Sequence, residues 1–264
     1  MKTSIIRGAL SIGLTSVFAV TACAGHGDES SQDASSDETS VSTAAARKAP
    51  IPLKEAKLII EHNATAEDTG FQGFIDSDGW KRMEVEGPEG QVLKFEPRGE
   101  LRKLGLTELF FETVEPENAE VPIDEVLAVL PEGEYEFEGV TPDGTPTVGT
   151  ANLTHTIPAG PRLVSPPEGA TVSRNNLVVR WSPVTTTIAG RPVNIVRYQL
   201  IVEKDEPPHP RSIGKGLSIY VPPTVTSVTV PPEFLESATP YLWEVLAIEE
   251  SGNQTLSSSA FITR

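Results

Sequence analysis

The chain has 264 residues, 37 acidic against 21 basic side chains, and a formal net charge of −16. That balance disfavours nucleic acid and other polyanions as partners, because like charge repels them where the acidic residues gather. A single cysteine excludes an internal disulfide, and the 4 histidines are scattered, with no pair at metal-ligand spacing.

The first stretch is MKTSIIRGALSIGLTSVFAVTAC. Lys2 and Arg7 form a short basic region, and Gly8 to Val20 carries no charge. This run has the length of a secretory hydrophobic region and is too short to span a bilayer as a helix. Thr21 and Ala22 are small, and Cys23 follows. The tetrapeptide VTAC resembles the lipobox of bacterial lipoprotein signal peptides. The resemblance implies that residues 1–22 are a signal peptide, cut off before Cys23, and that the Cys23 thiol carries diacylglycerol. Small residues let the chain lie extended in a protease groove, and sulfur is the side-chain nucleophile that forms a stable thioether. Two or three acyl chains anchor a protein to a membrane, whereas one is marginal. Ala24 in place of an aspartate implies sorting to the outer membrane if the host has one. The other reading of Cys23 is a free or pairing thiol behind an ordinary signal peptide.

Residues 23–49 follow as a tether. Beyond the cysteine they hold no aromatic residue and one β-branched aliphatic, Val41. Serine, threonine, alanine and aspartate dominate, so the segment buries too little apolar surface to offset its ordering entropy and is expected to be disordered.

Charge then divides the rest of the chain. Residues 50–160 hold 23 acidic and 8 basic side chains, whereas residues 161–264 hold 9 of each. Between Lys103 and Arg162 there are 12 acidic residues and no lysine or arginine. The asymmetry predicts two domains, 50–160 and 161–264, joined by IPAGP at 157–161.

The acidic region reads mainly as strands. AKLIIEHN and FQGFID are followed by a Ser77-Asp78-Gly79 turn, then WKRMEVEG, QVLKFEP and LTELFFETVE. Asp76 and Asp78 before Gly79 suggest a calcium loop. An EF-hand in that register would start at Phe74 and end at Val85, neither of which offers a ligand, so the turn reading stands. One helix is predicted in VPIDEVLAVLPEG. Pro122 suits a first helical position, and Ile123, Val126, Leu127 and Leu130 repeat at helical spacing until Pro131 and Gly133 end it. EYEFEGVT and TVGTANLTHTI form a hairpin across Pro142-Asp143-Gly144. In PEGEYEFEG, Glu134, Glu136 and Glu138 share one strand face opposite Tyr135 and Phe137. Three like charges in a row repel unless solvated or bound. They mark either a solvated face or a surface for a cation or a basic partner. The region is expected to be a β-sandwich carrying one short helix.

Residues 161–264 predict a second sandwich. Leu177, Val179 and Trp181 alternate in NLVVRWSPV. Val196, Tyr198, Leu200 and Val202 alternate in IVRYQLIVE, TSVTVPP is a short strand, and Tyr241, Trp243, Val245 and Ala247 alternate in the last long run. The residues resemble the fibronectin type III family: Trp181-Ser182-Pro183 early, then Leu235, Thr239 and Tyr241 at the family's spacing, then the Gly252 turn and a serine-rich closing strand. The resemblance implies that Tyr241 is a tyrosine corner, its hydroxyl satisfied by backbone, and that Trp243 stands where immunoglobulins place a cysteine. The proline-rich KDEPPHPRSIGKGLSIYVPP leaves strand edges near 204–223 open.

The fold class expected is mainly β, with two immunoglobulin-like sandwiches in tandem behind a disordered tether. No phosphate loop, nucleophile elbow or zinc-protease helix is present in the sequence. The function expected is non-catalytic: a lipid-anchored extracytoplasmic binding or adhesion module with no cofactor and no metal, bound to the membrane through Cys23 and to an envelope protein, plausibly basic. The alternatives are a structural or assembly subunit of an envelope complex, and an accessory hydrolase.

Overall fold

Strand alternation sets most of the architecture. The computed structural model describes residues 48–206 and 216–264. Residues 1–47, with the expected signal peptide, Cys23 and most of the expected tether, lie outside them, as do His209 and the centre of the proline-rich segment. Residues 48–264 form one compact unit. Among the described residues no helix is long and apolar enough to cross a membrane.

In chain order the elements are β1 (Ile51–Pro52), β2 (Glu55–Asn63), β3 (Asp68–Trp80), β4 (Arg82–Gly87), β5 (Gly90–Phe95), α1 (Gly99–Leu104) and β6 (Leu106–Glu112). Then follow α2 (Ile123–Leu127), β7 (Gly133–Val140), β8 (Pro146–Leu153), β9 (Leu163–Ser165), β10 (Ala170–Val172) and β11 (Val178–Trp181). The chain ends with β12 (Ile195–Lys204), β13 (Leu217–Val221), β14 (Ser227–Thr229), β15 (Pro240–Glu249) and β16 (Gln254–Thr263).

The structure is mainly β, as expected, and its sheets stack as sandwiches. A five-stranded sheet runs β1-β8-β7-β4-β5, a three-stranded sheet runs β14-β11-β9, and a large sheet runs β13-β12-β15-β16-β2-β3-β6, with β10 also on β16. Two apolar cores lie between the layers. The first gathers Leu58, Ile60, Phe71, Ile75, Trp80, Met83, Tyr135 and Phe137. The second gathers Val179, Trp181, Tyr198, Leu200, Tyr241, Trp243, Val245 and Phe261. Each set is the inward half of strands whose side chains alternate with period two.

The second core contains the aromatics that carried the family resemblance. Tyr241 stacks on Phe261 at 5.4 Å, and its hydroxyl accepts the Glu236 N–H at 2.8 Å. The hydroxyl thus meets a backbone group, as a tyrosine corner does. Tyr198 similarly accepts the Val184 N–H at 2.8 Å and packs edge-on against Trp181.

Four local expectations are corrected. Ser77-Asp78-Gly79 is no turn between strands: β3 continues through it to Trp80, with a register shift between Asp76 and Trp80 against β6. Gly79 takes φ 141°, a conformation only glycine adopts easily, and its N–H bonds Ser77 Oγ at 3.1 Å. Val196 faces solvent, because a bulge between Ile195 and Arg197 brings Ile195 inward in its place. α2 stops at Leu127, short of Leu130, where the Val129 N–H turns to the Val126 carbonyl and tightens the chain; Pro122 stands one place earlier, as its cap. A second helix, α1, was not predicted; it buries none of its residues, so no apolar periodicity marks it.

One sheet crosses from the acidic half to the C-terminal half. β16 pairs in parallel with β2 through Gln254↔Glu61, Thr255↔His62 and Leu256↔Asn63. The expected link, 157–161, is packed at this seam: Ile157 is buried in the first core, and the Thr255 hydroxyl donates to Pro158 O at 2.6 Å. The turn between β15 and β16 is tied on both sides. Glu249 is buried, and its Oε1 accepts the N–H groups of Ser251 (3.0 Å) and Asn253 (3.1 Å). Asn253, also buried, accepts the Ile60 N–H at 2.8 Å and donates to the carbonyls of Thr154 (2.8 Å) and Thr156 (3.0 Å).

Candidate functional site

β7 separates its side chains by chemistry. Tyr135 and Phe137 are fully buried, while Glu134, Glu136 and Glu138 are exposed on the opposite face of the five-stranded sheet. The antiparallel partner β4 brings two more carboxylates alongside, Glu84 opposite Glu138 and Glu86 opposite Glu136. On the other flank β8 sets Asn152, Thr150 and Val148 opposite the three glutamates. The face therefore carries five carboxylates at adjacent sites, with two cations at its edges, Arg82 of β4 and Lys94. Lys94, on β5 opposite Glu84, reaches the Glu84 carboxylate at 2.7 Å. That bond holds the Glu84 carboxyl below its ordinary range, against a smaller opposing effect of burial.

Like charges directly opposite across antiparallel strands destabilise the pair by a few tenths of a kcal/mol or more. Neutralising all three, as Glu134→Gln, Glu136→Gln and Glu138→Gln together, should therefore raise the melting temperature by a few degrees at low salt. The gain should shrink at about 0.5 M salt, where screening already weakens the repulsion. A melting temperature unmoved at low salt would show that the row is not strained by its own charge.

Two aspartates of the acidic region are already paired. Asp78 pairs with Lys54 at 2.5 Å. At the hairpin between β7 and β8, Asp143 accepts from Lys48 at 2.6 Å and from the threonine hydroxyls of Thr141 and Thr145. The Lys48 bond, chiefly, drives its carboxyl well below the usual carboxylate range.

A second carboxylate group was not legible in the sequence. Glu61 comes from β2, whereas Glu112 and Glu115 come from the end of β6 and just past it, and their oxygens lie within 4.8 Å of one another. The order β16-β2-β3-β6 brings Glu61 to the other two, and nothing along the chain announces that meeting. The Glu61 carboxyl is raised to about 7, first by burial, with the Glu112 and Glu244 carboxylates adding to the rise and the Gln254 and Gln72 amides opposing it. The Gln72 amide also donates to Glu112 at 2.8 Å. Two of the three carboxylates are thus already held by amides, and one keeps its proton through mildly acid pH. Carboxylate oxygens are the ligand type of a hard cation.

His62 and His155 are the histidines among the described residues. His62 lies in the sheet, its Nδ1 at 2.9 Å from Thr69 Oγ1, and burial pushes its pKa down. His155 bonds the Leu130 carbonyl at 2.9 Å. Both contacts are structural. Two shallow depressions flank the Glu249–Asn253 turn. One, about 430 Å³, is lined by Thr154, Val193, Asn194 and Glu249. The other, about 410 Å³, is lined by Lys57, Ile59, Asn152 and Ser251. The Glu249 Oε1 accepts from the turn's own N–H groups.

Among solved structures, the chain is similar to the FN1–FN3 domains of chicken CNTN1 at 14% identity and a TM-score of 0.26, over 81% of this chain and 66% of that one. It is similar to a tetra-tandem repeat in the extending region of a large adhesion protein at 10% identity and a TM-score of 0.26, over 80% of this chain and 50% of that one. The chain spans less than two thirds of the length of either. No protein-family model and no curated protein matches it.

Proposed function

We propose that this chain is a non-catalytic binding module of adhesion type, held at a cell-envelope membrane through lipid on Cys23. The observation that carries the binding half of the reading is the face of β7: aromatic residues seat the strand in the core, and three carboxylates are held open on the other side at fixed spacing. A strand surface of this kind offers a partner charged positions at fixed spacing. The anchoring half rests on the sequence VTAC behind a basic and an apolar region. If the host has an outer membrane, that is the membrane meant.

The expected result is direct. Grown with labelled fatty acid in a lipoprotein-processing host, the full chain should carry label, and Cys23→Ala should carry none and stay uncleaved at that site. Label persisting on the Cys23→Ala protein would remove the anchor.

A second reading, a structural subunit of an envelope complex, is favoured by one observation: 12 acidic residues without a lysine or arginine between Lys103 and Arg162. A basic protein would be its neighbour. Crosslinking of the full chain in its host should then identify the same basic neighbour in most preparations, and recovery of no constant neighbour would count against a complex.

A further inference from the structure

β6 ends the large sheet, and among the described residues no strand lies on its outer side. Its backbone groups there are oriented for pairing. The Thr113 N–H donates to Phe71 O at 2.9 Å, so alternation along the antiparallel pair turns the N–H and C=O groups of Glu112, Phe110 and Glu108 away from β3. The side chains of the same three residues are exposed, Phe110 at 57%. Leu109 and Phe111, between them, turn into the first core, where the Phe111 ring lies against Gly73 at a site that any larger residue would fill. The register of β6 is therefore pinned from inside while its outer edge stays open.

The rows across β2, β3 and β6 define what would fit. Glu55, Asp76 and Glu108 stand side by side; then Lys57, Phe74 and Phe110; then Ile59, Gln72 and Glu112. In the middle row Lys57 sits over the Phe74 ring at 5.9 Å, and Phe110 ends an apolar stripe. In the first row Lys57 also pairs with Glu55, while among the described residues no ion pair reaches Glu108. A strand laid along β6 would set one residue opposite Phe110 and one opposite each glutamate.

A second copy of this chain fits poorly. Two β6 strands paired about a two-fold axis at Phe110 would place Glu108 of each against Glu112 of the other, and like charges opposite one another are unfavourable. A basic strand meets the reverse situation.

We propose that the β6 edge accepts an extended segment of a partner protein as an added strand, with the pattern basic-x-apolar-x-basic. The pattern reads the same in both directions, so either strand orientation satisfies it. Main-chain hydrogen bonds hold the segment, and the Glu108, Phe110 and Glu112 positions select it. The inference deepens the binding-module reading and rests on it.

The test uses the full chain in detergent and two capped synthetic peptides, TKTFTKT and TETFTET, titrated to about 1 mM. The lysine peptide should bind saturably, weaken as salt rises, and slow hydrogen exchange at the Glu108, Phe110 and Glu112 amides. The double variant Glu108→Lys/Glu112→Lys should reverse the preference, with a swing between peptides of about tenfold or more. Phe110→Pro, which removes one edge N–H, should abolish binding of both peptides. Absence of binding, equal binding of the two peptides, or protection at any other strand overturns the proposal. So does slowed exchange at the three amides without peptide in a self-associated sample, which would assign the edge to a second copy. If the peptides fail while a constant neighbour is still crosslinked to the Glu108→Lys/Glu112→Lys chain, the edge is wrong and the binding module stands. If both fail, the module falls as well.

Discussion

Asn253→Ala should cost the protein about 3–5 kcal/mol of folding stability. The side chain is 1% exposed and joins residues that lie far apart in sequence. Its oxygen accepts the Ile60 N–H, and its amide donates to the carbonyls of Thr154 and Thr156. Alanine leaves these groups facing a small void. A buried backbone group left unsatisfied costs about 1–3 kcal/mol, and three such groups in one network do not add fully, which sets the range. Water entering the void would lower the loss, and for that reason the expectation stops at the lower part of the sum. Asn253→Asp should be at least as harmful, since a carboxylate would face two carbonyl oxygens with no amide to offer them. Urea denaturation of the full chain, followed by tryptophan fluorescence, measures both variants. A loss below about 1 kcal/mol for alanine, with an unchanged slope, would mean that Asn253 does not hold the seam.

The second large effect depends on pH. The Glu61 carboxyl is raised to about 7 in the folded protein from an ordinary 4.5. Between those values the folded state keeps a proton that the unfolded chain has released. Stability contributed at this site is therefore complete below about pH 4.5, falls as pH rises, and is gone above about pH 7. The difference corresponds to about 3 kcal/mol, as an order of magnitude. Glu61→Gln keeps the shape and a carbonyl oxygen for the Gln254 amide but carries no charge. The variant should be more stable than the parent at pH 8 by about that amount, and the two should converge near pH 4. The groups facing this site are the amides of Gln254 and Gln72 and the carboxylates of Glu112, Glu115 and Glu244. Among the described residues no cation is one of the groups acting on it, and the two amides offset burial only in part. Parent and variant of equal stability at pH 8 would show that Glu61 ionises there without penalty.

The side-chain alternation of β7 is legible in the sequence alone. Glu134, Glu136 and Glu138 have to share a face, because successive residues of a strand point to opposite sides. Their neighbours Glu84 and Glu86 are not legible, since nothing in a run of alternating residues says which strand lies alongside. The burial of Trp181, Tyr241 and Trp243 likewise follows from spacing, whereas the exposure of Val196 does not. A bulge inserts one residue and reverses the faces beyond it, and IVRYQLIVE shows no glycine or proline to announce one. α1 escapes notice for a different reason: a helix that buries nothing leaves no periodic signature.

The sequence by itself determined the β class, the inward half of nearly every long strand, the unequal division of charge, and the apolar segment ending at Cys23. These follow from local periodicity and composition, which act over a few residues. Tertiary structure decided the rest. It paired β16 with β2, so that Asn253 and Ile60 meet across 193 residues of chain. It gathered Glu61, Glu112 and Glu115 into one place and raised the Glu61 carboxyl by burying it there. It also left β6 at the edge of the sheet with Phe110 exposed. The physical reason is common to all three. A strand's own residues set which face is apolar, but its neighbour is chosen by how several such faces close over a shared core, and that depends on the whole chain at once.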